Sequence, residues 1–248
     1  MYLTQEQVTQ FFRDGYIILR KVLSSEETEA LRHAALRHVT AAEAPVETEE
    51  EYHNLHGDTS TLRRLRQVYH RDPLFARWMT RHSMRPILKQ LLNDTPVLTL
   101  AHHNSIMTKF PSTISSTCWH QDRRYWHFKN DNLLSVWLSL GEEYLDNGLL
   151  EFIPGSHKMQ FSAEQFTPNQ CFRTDLQCNQ EVLARRVHSN LHAGDIVLFH
   201  CQTLHSAHAN ATQETKISFV YTVRGQKNVP VEGTRSASKE IILDDVEA

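Results

Sequence analysis

The sequence predicts a mainly β fold with flanking α-helices, a jelly roll of cupin-like character. Three observations predict it. Residues 1–95 carry apolar side chains mostly at helical spacing; residues 97–108, 133–140, 149–153, 195–200 and 216–223 read as strands; and turn dipeptides punctuate the second half. Helices followed by a run of strands pack as a β core with helices outside it, and a double-sheet jelly roll fits this strand pattern.

Thr4 with Gln7 forms a capping-box pattern, with Val8, Phe11 and Phe12 following at helical spacing until Asp14-Gly15. Residues 16–22 (YIILRKV) are rich in β-formers and read as a strand. Ser24 with Glu27 opens a second helix that runs to about His38. From 41 to 61 the apolar period is lost. Glu43, Glu47, Glu49, Glu50 and Glu51 make an acidic run, read as a solvated loop with partner binding as the alternative. Residues 62–69 and 73–92 return to helical spacing, and Arg85-Pro86 marks a break or a new first turn. In 133–140, Ser135, Trp137 and Ser139 share one strand face and Val136, Leu138 and Leu140 the other; the aliphatic face reads as core, the mixed face as pocket. Asn147-Gly148 and Pro154-Gly155-Ser156 are turn signals. Residues 157–190 show no strand period, and so long an insertion is expected to be a lid. The expected organisation is one domain, 1–248, with a mainly helical flank (1–95) and a β core (96–225) carrying that insertion.

With 248 residues and 40% hydrophobic content the chain can bury a sizeable core. A formal net charge of -3 argues against nucleic acid or an anionic membrane as partner. No apolar stretch is long enough to span a bilayer, and MYLTQEQVTQFF lacks the pattern of a signal peptide. Cys118, Cys171, Cys178 and Cys201 form neither a C-x-x-C pair nor a zinc spacing. They read as free thiols in a reducing, cytoplasmic compartment. A small molecule is the expected partner, and no protein partner is evident.

The chemistry centres on Trp119-His120-Gln121-Asp122. Alternate residues of a strand point to one face, so His120 and Asp122 can reach one metal ion. His200, His205 and His208 are candidates for a third ligand, and two histidines with one carboxylate make the facial triad of non-haem Fe(II) oxygenases.

WHQD (119–122), NGLLEFIPGSHK (147–158), AGDIVLFH (193–200) and His205 with Asn210, in this order and spacing, resemble the phytanoyl-CoA dioxygenase family of Fe(II)/2-oxoglutarate oxygenases. DGYIILRKVLSSEE (14–27) is similar to the family's opening. The resemblance covers most of the chain. It implies a double-stranded β-helix with Fe(II) held by His120, Asp122 and His205, leaving positions for 2-oxoglutarate and O2. Release of succinate and CO2 would then accompany oxidation of a substrate C–H bond. Asn210, five residues beyond His205, favours that histidine over His200 and His208. Where the family places an arginine, eleven residues after the distal histidine, this chain has Lys216, a point charge instead of a fork. Arg224, or a residue from another strand, is the alternative anchor for the distal carboxylate of 2-oxoglutarate. Gln121 and Trp137 match family residues near the cosubstrate. Asp122 argues for hydroxylation over halogenation.

Arg123, Arg124 and Tyr125 follow the motif and could hold an anionic substrate group, or else face solvent or pair structurally. Arg173, Arg185 and Arg186 in the insertion are candidates for a lid clamp. His102, His103, His127, His157, His188 and His192 are expected to be ordinary histidines. The expected activity is hydroxylation of a small polar or anionic metabolite. A cupin-like metal protein that binds or isomerises a small molecule without O2 is the alternative, and a non-catalytic scaffold of the same fold the third.

Overall fold

A computed structural model describes residues 1–53, 61–111 and 116–244. The first half contains α1 (Gln5–Asp14), β1 (Tyr16–Leu19), α2 (Ser25–Ala41), β2 (Val46–Thr48), α3 (Glu49–His53), β3 (Leu62–Arg66), α4 (Pro73–Met79) and α5 (Arg85–Leu92). Strands then dominate: β4 (Pro96–Thr99), β5 (Ser105–Lys109), β6 (Thr117–His120), β7 (Leu133–Ser139) and β8 (Leu150–Phe152). After α6 (Gln177–Leu183) come β9 (Val187–His188), β10 (Ile196–His200), β11 (His205–Ala207), β12 (Lys216–Gly225) and β13 (Glu240–Ile242). Both expected capping boxes form, Thr4 with Gln7 and Ser24 with Glu27.

The strands make two antiparallel sheets. The larger runs β1-β10-β7-β12-β5-β3-β2, with β4 and β13 attached through β12; the smaller runs β6-β11-β8-β9. Alternation along the strands decides what each sheet packs against. Val136 and Leu138 of β7, with Phe219 and Tyr221 of β12, turn outward onto Phe75, Trp78 and Leu88 of the helices. Trp137, Val197, Phe199 and Val220 turn inward and meet Leu150, Phe152 and Ala207 of the smaller sheet. This is the double-stranded β-helix, with helices on one outer face.

Three segments differ from expectation. Residues 97–108, read as one strand, are two, β4 and β5, separated by residues 100–104, where His103 has φ 47°. Residues 62–66 are a strand, not a helix: β3 pairs with β5 in the register Arg64↔Met107 and Leu65↔Ile106. The Leu62–Leu65 spacing suits a helix, but pairing on both sides, with β5 and β2, and the ion pairs of the intervening arginines override it. The acidic run is not wholly a solvated loop. It contains β2 and α3, and Glu47 and Glu49 are buried at 5% and 7% exposure against Arg63. The remainder of that loop, 54–60, lies outside the described residues.

Gly15 ends α1 with φ 84°, and its carbonyl accepts His200 N (2.8 Å) and Thr203 Oγ1 (2.7 Å). A Cβ there would stand 2.4 Å from His157 Nδ1, so glycine is required both for the left-handed turn and for the close approach. The contact seats β1 beside β10 and fixes the loop that leads to His205. The insertion is ordered around its own apolar cluster, where Phe166, Phe172 and Leu183 pack on Ile153 and Leu204. Among the described residues no helix is long and apolar enough to cross a membrane.

Candidate active site

His120 ends β6, Asp122 opens the 3-10 turn that follows, and His205 begins β11. Pairing of β6 with β11 sets His120 directly opposite His205, with ring centroids 4.2 Å apart. Asp122 Oδ1 lies 3.7 Å from His120 Nε2 and 3.9 Å from His205 Nε2. All three ligand atoms lie within 4.8 Å of one another.

The hydrogen bonds behind these atoms define their chemical state. His120 Nδ1 lies 2.8 Å from Cys118 O, and His205 Nδ1 lies 2.9 Å from Thr203 O. A carbonyl oxygen only accepts, so each Nδ1–H donates, and in the neutral ring this tautomer leaves the lone pair on Nε2. Ser135 Oγ donates to Asp122 Oδ2 at 3.0 Å, which leaves Oδ1 on the histidine side. Burial alone would raise the Asp122 pKa, but His103, His205 and His120 together hold its carboxyl below the ordinary range. Burial, and then His120, push His205 down to about 3. An ionised carboxylate and neutral imidazoles are the states a metal requires of its ligands. The donor set fits a divalent ion of the facial-triad type, with coordination positions left open. His103 stands close behind, with Nδ1 3.1 Å from Ser135 Oγ and Nε2 3.4 Å from Asp122 Oδ1.

The triad opens on a cavity of about 680 Å³, also lined by Trp137, Lys216, Lys109, Tyr125, Arg64 and Arg235. That volume lies within the range of roughly 300–1,000 Å³ usual for small-molecule pockets. Lys216, first residue of β12, is buried with Nζ 3.0 Å from Glu143 Oε2, 3.2 Å from Ser218 Oγ and 5.0 Å from the Trp137 ring centre. Glu143 also accepts Trp137 Nε1 (3.1 Å) and Ser218 Oγ (2.7 Å). Directly opposite Lys216 in the β5–β12 register stands Lys109. Burial, and next the charge of Lys216, push Lys109 down to about 7. Gly148 makes room for it, since a Cβ there would meet Lys109 Cδ at 2.3 Å. Asn210 Nδ2 donates to Lys109 O at 2.8 Å and to Glu214 O at 2.8 Å, tying the β11–β12 loop to the end of β5. Sequence reasoning missed Lys109; the available signal was a lysine ending a β-rich run.

The other expected residues divide. Arg224 is tied to Glu240 and to the carbonyls of Gly225 and Gln226, and it does not line the cavity. Gln121 donates to Gln202 O and accepts from Arg124, behind the cavity wall. Arg123 braces its own loop through Asp131, Trp126 O and Phe128 O. Arg124 lies over the Phe166 ring, 3.2 Å from its centre, and reaches Gln170 of the insertion. Of that cluster Tyr125 lines the cavity, its hydroxyl donating to Asn169 O at 2.9 Å. His208 pairs with Glu151 (2.7 Å), and His200 Nδ1 accepts Gln202 N; neither lines the cavity. Arg173 pairs with Asp175, and Arg185 and Arg186 bond backbone carbonyls outside the cavity.

The insertion reaches the cavity through Pro168, Asn169, Gln170 and Cys171. Cys171 is joined to Cys118, two residues before His120, in a disulfide. This corrects the expectation of four free thiols: Cys178 and Cys201 are free, and the cysteines no longer argue for a reducing compartment. A separation of 53 residues carries no motif, and only the folded insertion brings the pair together.

Fold and site thus define a double-stranded β-helix protein with a two-histidine, one-carboxylate centre. Residues 11–218 match the phytanoyl-CoA dioxygenase family, and the chain belongs to it. The ectoine dioxygenase of Sphingopyxis alaskensis is 25% identical over 229 residues, spanning 85% of this chain and 72% of that protein. The structure of EctD from S. alaskensis with 2-oxoglutarate and 5-hydroxyectoine superposes with a TM-score of 0.77 at 23% identity, over 92% of this chain and 78% of that one. The epimerase SnoN from nogalamycin biosynthesis superposes with a TM-score of 0.74 at 21% identity, over 89% and 82%. At these identities the structural likeness is one of fold.

Proposed function

We propose that this protein is an Fe(II)- and 2-oxoglutarate-dependent dioxygenase that hydroxylates a small polar or anionic metabolite. The observation that carries the reading is the convergence of the two Nε2 atoms and Asp122 Oδ1 beside a cavity lined by a buried lysine pair. Family membership and the iron- and 2-oxoglutarate-binding relatives of this fold support it.

His120, Asp122 and His205 would hold Fe(II). Iron held there would supply the oxidative chemistry, in which 2-oxoglutarate and O2 give succinate and CO2 and the second oxygen atom enters the substrate C–H bond as a hydroxyl. The protein's part is position and charge. Cys118 O and Thr203 O hold the two imidazoles in the ligating tautomer, and Ser135 holds Asp122. Asp122 keeps an anionic protein donor in the set, which supports hydroxylation over halogenation. Lys216 and Lys109 would meet the distal carboxylate of 2-oxoglutarate, with Trp137 beside it. Glu143 pairs with Lys216 and holds its ammonium at the cavity wall, opposite Lys109. The alternative of a cupin-like binding protein or isomerase rested on lysine in place of arginine, and a second lysine opposite the first supports a carboxylate anchor there. Residues 168–171 form part of the cavity wall, which supports reading the insertion as a lid, and the whole chain is taken as one catalytic domain.

Purified protein given Fe(II), 2-oxoglutarate and O2 is expected to form succinate, and His205→Ala is expected to form none. An iron-loaded wild type that forms no succinate would contradict the reading.

A further inference from the structure

The β3 side of the cavity carries more positive charge than the metal centre or the cosubstrate uses. Arg63 and Arg64 both line the cavity. Arg63 is held by Glu49 (3.0 Å) and Thr117 (2.9 Å). Arg64 reaches Glu47 at 2.6 Å, a carboxylate it shares with Arg63 (3.7 Å) and Arg66. Arg64 Nε is buried with no hydrogen-bond partner among the described residues. Arg235, from the loop before β13, reaches the cavity independently and donates to Ala101 O at 2.9 Å. The charged groups that act on it are Arg64 and Arg66. Among the described residues, then, three β3 arginines share Glu47 and Glu49, and Arg235 adds a further guanidinium that repels them.

Clustered guanidiniums on a concave wall repel one another until an anion enters, and their planar forks match a carboxylate or phosphate. Arg64 also lies within electrostatic reach of Asp122. An anion on this wall would therefore leave the rest of the molecule beside the triad. Arg123 and Arg124, nearer in sequence to the metal motif, are occupied by Asp131, Gln121 and Gln170.

We propose that the substrate carries a carboxylate or phosphate group and that Arg64 and Arg235 clamp it, turning the C–H bond to be oxidised toward His120, Asp122 and His205. This rests on the oxygenase reading and adds the substrate's charge and orientation to it. Arg64 and Arg235 are substrate-binding residues that set specificity.

The test uses the iron-loaded enzyme with 2-oxoglutarate and matched pairs of compounds: carboxylic and amino acids with their amides, and phosphomonoesters with their parent alcohols. Stimulation of succinate formation is measured under air, and perturbation of the iron–cosubstrate charge-transfer band is measured anaerobically. Acids of one series are expected to act where their neutral partners do not, and the series that acts identifies the anion. Arg235→Gln should raise the KM of the active acid about ten- to hundredfold, with Arg235→Lys recovering part of the loss. Arg235 is exposed and makes one backbone hydrogen bond, so this variant tests the clamp without disturbing the Glu47 network that Arg64→Gln would alter. Neutral partners equal to their acids, no active acid in either series, or an unchanged acid preference in Arg235→Gln would overturn the clamp. A wild type with neither band nor succinate would instead remove the oxygenase reading, and the clamp with it.

Discussion

Lys109 and Lys216 stand opposite each other on adjacent antiparallel strands, both lining the cavity, with the buried carboxylate of Glu143 3.0 Å from Lys216. The two lysines are therefore expected to fail differently. Lys109→Met should weaken 2-oxoglutarate binding about ten- to hundredfold and leave Glu143 paired. Lys216→Met should weaken it too and also strand Glu143, destabilising the fold by about 3–5 kcal/mol. Adding Glu143→Gln to Lys216→Met should restore stability without restoring cosubstrate affinity. Denaturant titration and cosubstrate titration, run on the same variants, separate the two effects.

The lowered pKa of Lys109, about 7 against an ordinary value of 10.5, predicts a pH dependence. Above about pH 7 the folded protein has this amine neutral while the unfolded chain keeps it charged up to about 10.5. The unfolded state then binds more protons, so this group's contribution to stability rises with pH across that window and is flat below it. Binding of a dianion favours the charged amine, so affinity for 2-oxoglutarate should fall from pH 7 to pH 9. Lys109→Met should flatten that fall. An equally steep decline in the variant would assign the effect elsewhere.

Ser135 is the hydroxyl that orients Asp122. Ser135→Ala should weaken iron binding about ten- to hundredfold, the usual effect of removing a partner that orients a ligand. His205→Ala should abolish binding, and His208→Ala, paired to Glu151 instead, should retain it. Equilibrium dialysis against Fe(II) under anaerobic conditions reads all three.

The Cys118–Cys171 bond ties the insertion to the strand that carries His120. Closing a loop of 53 residues constrains the unfolded chain by about 4 kcal/mol in the loop-entropy description. Cys171→Ser should lower stability by an amount of that order. Thiol titration of denatured, unreduced protein should find two thiols, Cys178 and Cys201. Four would show that the bond is not formed.

Sequence spacing carried what depends on local geometry. Two capping boxes and the β7 alternation were legible, because each is decided within a few residues; His120 and Asp122 do come together, but with Asp122 in the 3-10 turn after β6 and not on the strand. The walls of the cavity were not. Lys109 acquires its meaning from register with Lys216, 107 positions on, and Cys118 from a loop 53 residues away. Glu47 and Glu49 looked like a solvated acidic run until Arg63 was folded against them. Arg123 and Arg124 looked like a substrate clamp by adjacency, but the 3-10 turn at 122–125 directs them into their own loop and onto the insertion.

The most direct measurement is an anaerobic titration of 2-oxoglutarate into Fe(II)-loaded protein, following the visible charge-transfer band of the iron–cosubstrate chelate in wild type, His205→Ala and Lys216→Ala. A saturable band in wild type, lost in His205→Ala and shifted to higher cosubstrate concentration in Lys216→Ala, is the predicted result. Iron bound with no band in wild type would contradict the assignment of this site to 2-oxoglutarate chemistry.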